Sequence, residues 1–143
     1  MKDMNIFETN NFSEAIKLLE EYENKEDALR DLIIKNSEEY GVFLLSLLLD
    51  IAYRKNISFW FENIAYFYSF NFDNIEGAQK SSLFYFIKAH ELNRNDENIL
   101  EAILDFQLPP ERILSNEEAI LFAKSILEIN PNNERAIKIV KVD

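Results

Sequence analysis

His90-Glu91-Leu92-Asn93-Arg94-Asn95-Asp96-Glu97-Asn98 is answered 37 residues later by Leu127-Glu128-Ile129-Asn130-Pro131-Asn132-Asn133-Glu134-Arg135. Each copy reads as the end of one amphipathic helix, an Asn-rich break and an acidic restart. Asn side chains compete for backbone hydrogen bonds and favour turns, and Pro131 has no N–H to continue a helical ladder. Self-similarity at this period points to an internal helical repeat. An all-α chain is therefore the first expectation.

Working outward, apolar residues recur at helical spacing in short blocks. Downstream, Ser115-Asn116-Glu117-Glu118 has the form of a capping box and opens a helix carrying Ala119, Ile120, Phe122, Ala123, Ile126, Leu127 and Ile129. A last short helix runs from about residue 133 to 140. Between the copies, a helix after Asp96 carries Ile99, Leu100, Ile103, Leu104 and Phe106 and is expected to end at Pro109-Pro110. Upstream, one block spans about 12–22, with Asn11 as cap and Phe12, Ala15, Ile16, Leu18, Leu19 and Tyr22 inward. A second, 26–34, turns Ala28, Leu29, Leu32 and Ile33 inward and is expected to break at Asn36-Ser37. A third, 38–54, is apolar almost all round and reads as a helix buried between others, with Gly41 near its start.

The fourth block, 58–72, holds eight aromatics, and with Phe84, Tyr85 and Phe86 accounts for 11 of the 19 in the chain. Aromatics favour strands, but no hairpin turn or partner strand follows residues 65–72, so a helix is expected. A fifth helix starts after Glu76-Gly77 and ends near Asn93.

Composition agrees with this reading. Two glycines and three prolines among 143 residues are too few for a turn-rich sandwich or barrel. A chain of this length supports one domain, 1–143, with its own core. No cysteine is present, which excludes disulfides and thiolate metal sites. Residues 42–49 form the most apolar run, far shorter than the roughly 20 residues of a membrane span. The N-terminus shows no basic region followed by a long apolar run, so a cytoplasmic location is expected.

The net charge of −11 is uneven. Residues 1–40 carry 11 acidic and 5 basic side chains, 41–92 carry 5 and 4, and 93–143 carry 10 and 6. Such a surface repels phosphate backbones and offers no Lys/Arg stripe, so no direct nucleic-acid binding is expected. A basic protein would be attracted and its encounter accelerated.

The residues around the repeat resemble tetratricopeptide repeats. One unit supplies Ser82, Phe86 and Ala89 before Asn93-Arg94-Asn95, with Arg94 where the family has proline. The other supplies Ala119, Ala123 and Ile126 before Asn130-Pro131-Asn132. The likeness covers about 58–143, at a period three residues longer than the family's 34. It implies an irregular right-handed stack of antiparallel helical hairpins, an α-solenoid of about seven or eight helices, with 1–57 as generic helical pairs. It also implies a scaffold that presents a helical surface to a peptide or a folded partner. A looser resemblance, in size, acidity and irregular helical hairpins, is to small bacterial toxin-immunity proteins. That implies an acidic inhibitor that binds and blocks a basic toxin.

Catalytic chemistry finds little support. His90 is the only histidine, with no second His or Cys to complete a metal site, and reads as a solvated or rim residue. Gly41 and Gly77 stand in no phosphate-cradling motif. Neighbouring carboxylates on a helix point apart, so the acidic doublets make poor acid–base dyads. No catalytic residue, metal or cofactor is expected, and an enzyme using a carboxylate with His90 ranks last. The expected partner-binding residues are Glu20, Glu21, Glu23, Glu26, Asp27, Glu38 and Glu39 for charge, and Trp60, Tyr66 and Tyr68 as aromatic anchors. The sequence sets no oligomeric state.

Overall fold

The computed structural model describes residues 4–109 and 112–141. Within them the chain forms eight α-helices and no strand. These are α1 (Met4–Glu8), α2 (Phe12–Glu20), α3 (Glu26–Lys55), α4 (Ser58–Ser69), α5 (Ala78–Leu92), α6 (Glu97–Leu104), α7 (Asn116–Ile129) and α8 (Glu134–Lys141). Helices pack against neighbours in chain order, most extensively α4 on α5 and α3 on α4. None is long and apolar enough to cross a membrane.

The repeated passage forms the turns α5–α6 and α7–α8. In the first, Asp96 Oδ1 accepts from the N–H groups of Asn98 at 2.9 Å and Ile99 at 3.4 Å, capping α6. In the second, Asn133 Oδ1 accepts from Ala136 N–H at 2.9 Å. The two copies also touch: Asn130 and Asn133 each donate through Nδ2 to Glu97 Oε2, at 2.9 and 2.8 Å. These bonds, Asn133 first and then Asn130, hold the Glu97 carboxyl below its ordinary range. Arg135 adds an ion pair to Asp105 at 2.9 Å, tying α8 to the end of α6.

The two expected caps both form. Asn11 Oδ1 accepts from Glu14 N–H at 3.1 Å, and Ser115 and Glu118 form a reciprocal capping box. The helix of 97–104 ends earlier than the prolines demand, passing through a 3-10 turn at Asp105–Gln107 before Pro109. Pro110 and Glu111 lie outside the described residues.

The largest departure is α3. The expected break at Asn36-Ser37 does not occur, and 30 residues run as one helix of about 45 Å. Asn36 Nδ2 donates to Leu32 O at 2.8 Å and Ser37 Oγ to Ile33 O at 2.5 Å. Each polar side chain is satisfied by the carbonyl one turn back, so neither competes with the helical ladder. Gly41 accordingly lies in mid-helix, buried, where a Cβ would meet the Phe67 ring at an ordinary 3.6 Å. The helix ends at Asn56, whose left-handed backbone (φ 54°) closes it with an N–H bond to Ala52 O.

α3 is also less enclosed than its composition implies. Leu29, Leu32, Ile33, Leu44, Leu47, Leu48 and Ile51 enter the core, but Ile34 and Tyr53 are over half exposed and Val42 is 86% exposed. Ala28 and Phe12, both expected inward, are exposed as well. Phe12 instead covers the edge of Phe43 at 5.8 Å. α4 drives Trp60, Phe61, Ile64 and Phe67 into the core. Each such side chain contributes about 1.5–3 kcal/mol on burial. α5 crosses α4 closely at the buried Ser82, whose Oγ donates to Ala65 O at 2.8 Å. The remaining residues of the family-like pattern, Phe86, Ala89, Ala119, Ala123 and Ile126, are buried too.

Candidate partner-binding groove

The ten expected binding residues fall into three groups, and only one of them lines a groove. Glu20, Glu23 and Trp60 belong to an internal clamp. Trp60 is fully buried, which withdraws it as a surface anchor, and its Nε1 donates to Glu23 Oε1 at 2.8 Å. Lys55 Nζ reaches the same oxygen at 2.9 Å, and Arg54 pairs with Glu20. The Trp60 N–H, and after it Lys55, hold the Glu23 carboxyl below its ordinary range. This clamp fastens the turn after α2 to the α3–α4 junction. Glu21 and Asp27 are exposed nearby.

A second group centres on Arg30, which sequence reasoning left out. Its guanidinium lies 3.7 Å over the Tyr66 ring, pairs with Glu26, and reaches Glu62 Oε1 at 3.5 Å, while its Nε is buried without a partner. The Glu62 side chain is only 15% exposed. Burial first, then the charges of Glu26 and Asp96, push its carboxyl up from 4.5 to about 7. Unfolded, this group ionises near its ordinary value, so between these limits the folded chain retains a proton that the unfolded chain has lost. Its effect is that stability falls as pH rises from about 4.5 and levels off above 7. Glu62→Gln is expected to stabilise the fold by about 2 kcal/mol at pH 8, allowing for water at the carboxylate, and to change little at pH 5. Urea unfolding at the two pH values measures this, and an equal effect at both would contradict it.

The third group, Glu38, Glu39 and Tyr68, lines a broad groove of about 1280 Å³ between the middle of α3 and the end of α4 with the turn that follows it. On α3, Ile34, Glu38, Val42 and Ser46 stand four residues apart and form one exposed stripe. Beside it Ser37, Gly41 and Leu45 floor the groove, and Phe67, Tyr68, Phe70 and Asn71 form the opposite wall. Tyr68 is half-buried and stacks on Tyr85 at 6.1 Å. Phe70 is 42% exposed. At the α3 edge Tyr40 stacks on Phe7 of α1 at 4.7 Å, which fixes the wall at that side. Among the described residues, two carboxylates and no cation line this surface.

Ile34, Val42 and Phe70 were missed as candidates because an apolar helix reads as core whichever face it turns. The four-residue spacing of Ile34, Glu38, Val42 and Ser46, two of them polar, was the available signal.

His90 lies at the opposite end, on α5, and corrects the expectation of a solvated or rim residue. It is 8% exposed, 6.0 Å from the Phe122 ring, and its Nδ1 has no hydrogen-bond partner among the described residues. Burial, then Arg94, lowers its pKa and keeps it neutral. Among the described residues no three His, Cys, Asp or Glu side chains are placed to hold a metal ion. No protein-family model, curated protein or solved structure matches the chain.

Proposed function

We propose that this chain is a non-catalytic protein-binding module, an acidic inhibitor of the immunity or antitoxin type that docks a basic partner in the groove between α3 and the α4–α5 turn. The observation that carries this reading is the stripe in which Glu38 alternates with exposed Ile34 and Val42, with Glu39 beside it and no cation among the described residues of the lining. Apolar side chains there supply affinity on desolvation, and the carboxylates supply register and selection for positive charge. An inhibitor needs no chemistry of its own, because occluding a partner's active surface is enough. The net charge of −11 adds long-range attraction, and a cytoplasmic location fits a protein that meets its partner inside the cell.

A tetratricopeptide-like adaptor is the second reading, favoured by packing in chain order and by the buried small and aromatic residues of α5 and α7. In this reading the helices form the irregular right-handed stack of hairpins that the family resemblance implies.

Salt separates the two. Co-purification with the product of the adjacent gene, followed by titration at 50 and 300 mM salt, is expected to give a complex that weakens about tenfold or more. Absence of a complex, or binding of short peptides with affinity unmoved by salt, contradicts the inhibitor reading.

A further inference from the structure

We propose that a second, smaller cavity, at the junction of α4, α5 and the end of α6, binds an alkylammonium cation. Its volume is about 270 Å³, and the residues that line it include the aromatic Tyr66, Phe72, Phe86 and Phe106 together with Asp105. Drug-sized pockets begin at roughly 300 Å³, so the space suits a single side chain or a small ion.

The rings are not stacked in parallel. Tyr66 meets Phe86 at 86° with centroids 5.3 Å apart, Phe72 meets Phe106 at 67°, and Phe86 meets Phe106 at 56°. Rings inclined this steeply enclose a space on several sides, the arrangement in which aromatic faces surround a positive charge. The same chemistry already operates next to the cavity, where the Arg30 guanidinium lies over Tyr66. Because Arg30 takes one face of that ring and Phe86 is almost fully buried, Phe72 and Phe106 carry most of the new contact.

Asp105 supplies the counter-charge. Its Oδ1 accepts from Arg135 Nη1 at 2.9 Å, which fixes the carboxylate at the end of α6. A neutral apolar group would gain the burial but nothing from the carboxylate or the ring faces. An ammonium with an alkyl or methylated body gains both, and the chain's negative field draws it in.

The test compares choline with 3,3-dimethyl-1-butanol, its uncharged isostere, by NMR titration of the full chain. Choline is expected to shift the resonances of Phe72, Asp105 and Phe106 at least about tenfold more tightly than the alcohol. Equal binding of the two, or no binding of either, overturns the proposal. Asp105→Asn, a near-isosteric change at an exposed position that keeps an oxygen acceptor for Arg135, is expected to weaken choline several-fold while leaving the alcohol unchanged. Unchanged choline affinity in Asp105→Asn and in Phe106→Leu also overturns it. A trimethyllysine peptide titrated in parallel assigns the source. Tighter binding than choline marks a protein-borne side chain, and weaker binding marks a free small cation.

Discussion

Trp60→Ala is expected to destabilise the protein by about 3–5 kcal/mol, a large fraction of the roughly 5–15 kcal/mol that folded domains have. The ring is fully buried, meets Phe59 edge-on at 5.2 Å, and sits where α4 packs on α3. Its removal leaves a cavity and takes away the Nε1–H bond to Glu23. Trp60→Phe separates the two effects. It retains most of the packing and loses only the donor, at an expected cost of about 1.5–3 kcal/mol for a bond to a charged acceptor. Glu23 then reports the link through pH. A folded pKa below the unfolded one means stability that is present above the unfolded value and lost as pH falls through the folded one. In Trp60→Phe that acid loss is expected to shrink. Urea unfolding followed by circular dichroism at pH 7 and pH 4 checks both points. A cost below about 1 kcal/mol for Trp60→Ala would refute the clamp.

Fold class was legible because local signals agreed with one another. Asn11 and the Ser115–Glu118 box each cap the helix that their spacing announces. The contacts between copies of the repeat, Glu97 with Asn130 and Asn133, are long-range and have no signature in either copy alone. Asn36-Ser37 misled for a physical reason. The same side chains that end a helix by competing for its hydrogen bonds sit harmlessly inside one when they fold back on the preceding turn. Residue type does not choose between these outcomes; the packing of α3 on its neighbours does.

The candidate site was legible only in part. Glu38, Glu39 and Tyr68 reach the groove as charge and aromatic candidates, but Glu20, Glu23, Glu26 and Tyr66 are engaged by Arg54, Lys55 and Arg30. Their partners lie up to 36 residues away, as Arg30 does from Tyr66, so a one-dimensional reading counts them as available. Trp60 failed as an interface residue because its indole N–H finds a buried-side partner in Glu23, which removes the need for water.

Charge reversal in the groove is the second large effect. Glu38→Lys with Glu39→Lys places two cations in a lining that has none among the described residues, beside the exposed Val42. Against a basic partner this replaces attraction with like-charge contact at partly desolvated positions, a change expected to weaken binding about a hundredfold, or about 2.7 kcal/mol. The control is Glu91→Lys with Glu128→Lys, which makes the same change in net charge at exposed positions near the ends of α5 and α7, where a cation suits the helix dipole. Most of the long-range attraction changes equally in the two proteins, so their difference isolates the groove. The decisive measurement is therefore the dissociation constant of the basic partner for the two double variants at one ionic strength. The groove account predicts a loss of about a hundredfold for the 38/39 pair and less than about fivefold for the 91/128 pair; equal losses would contradict it.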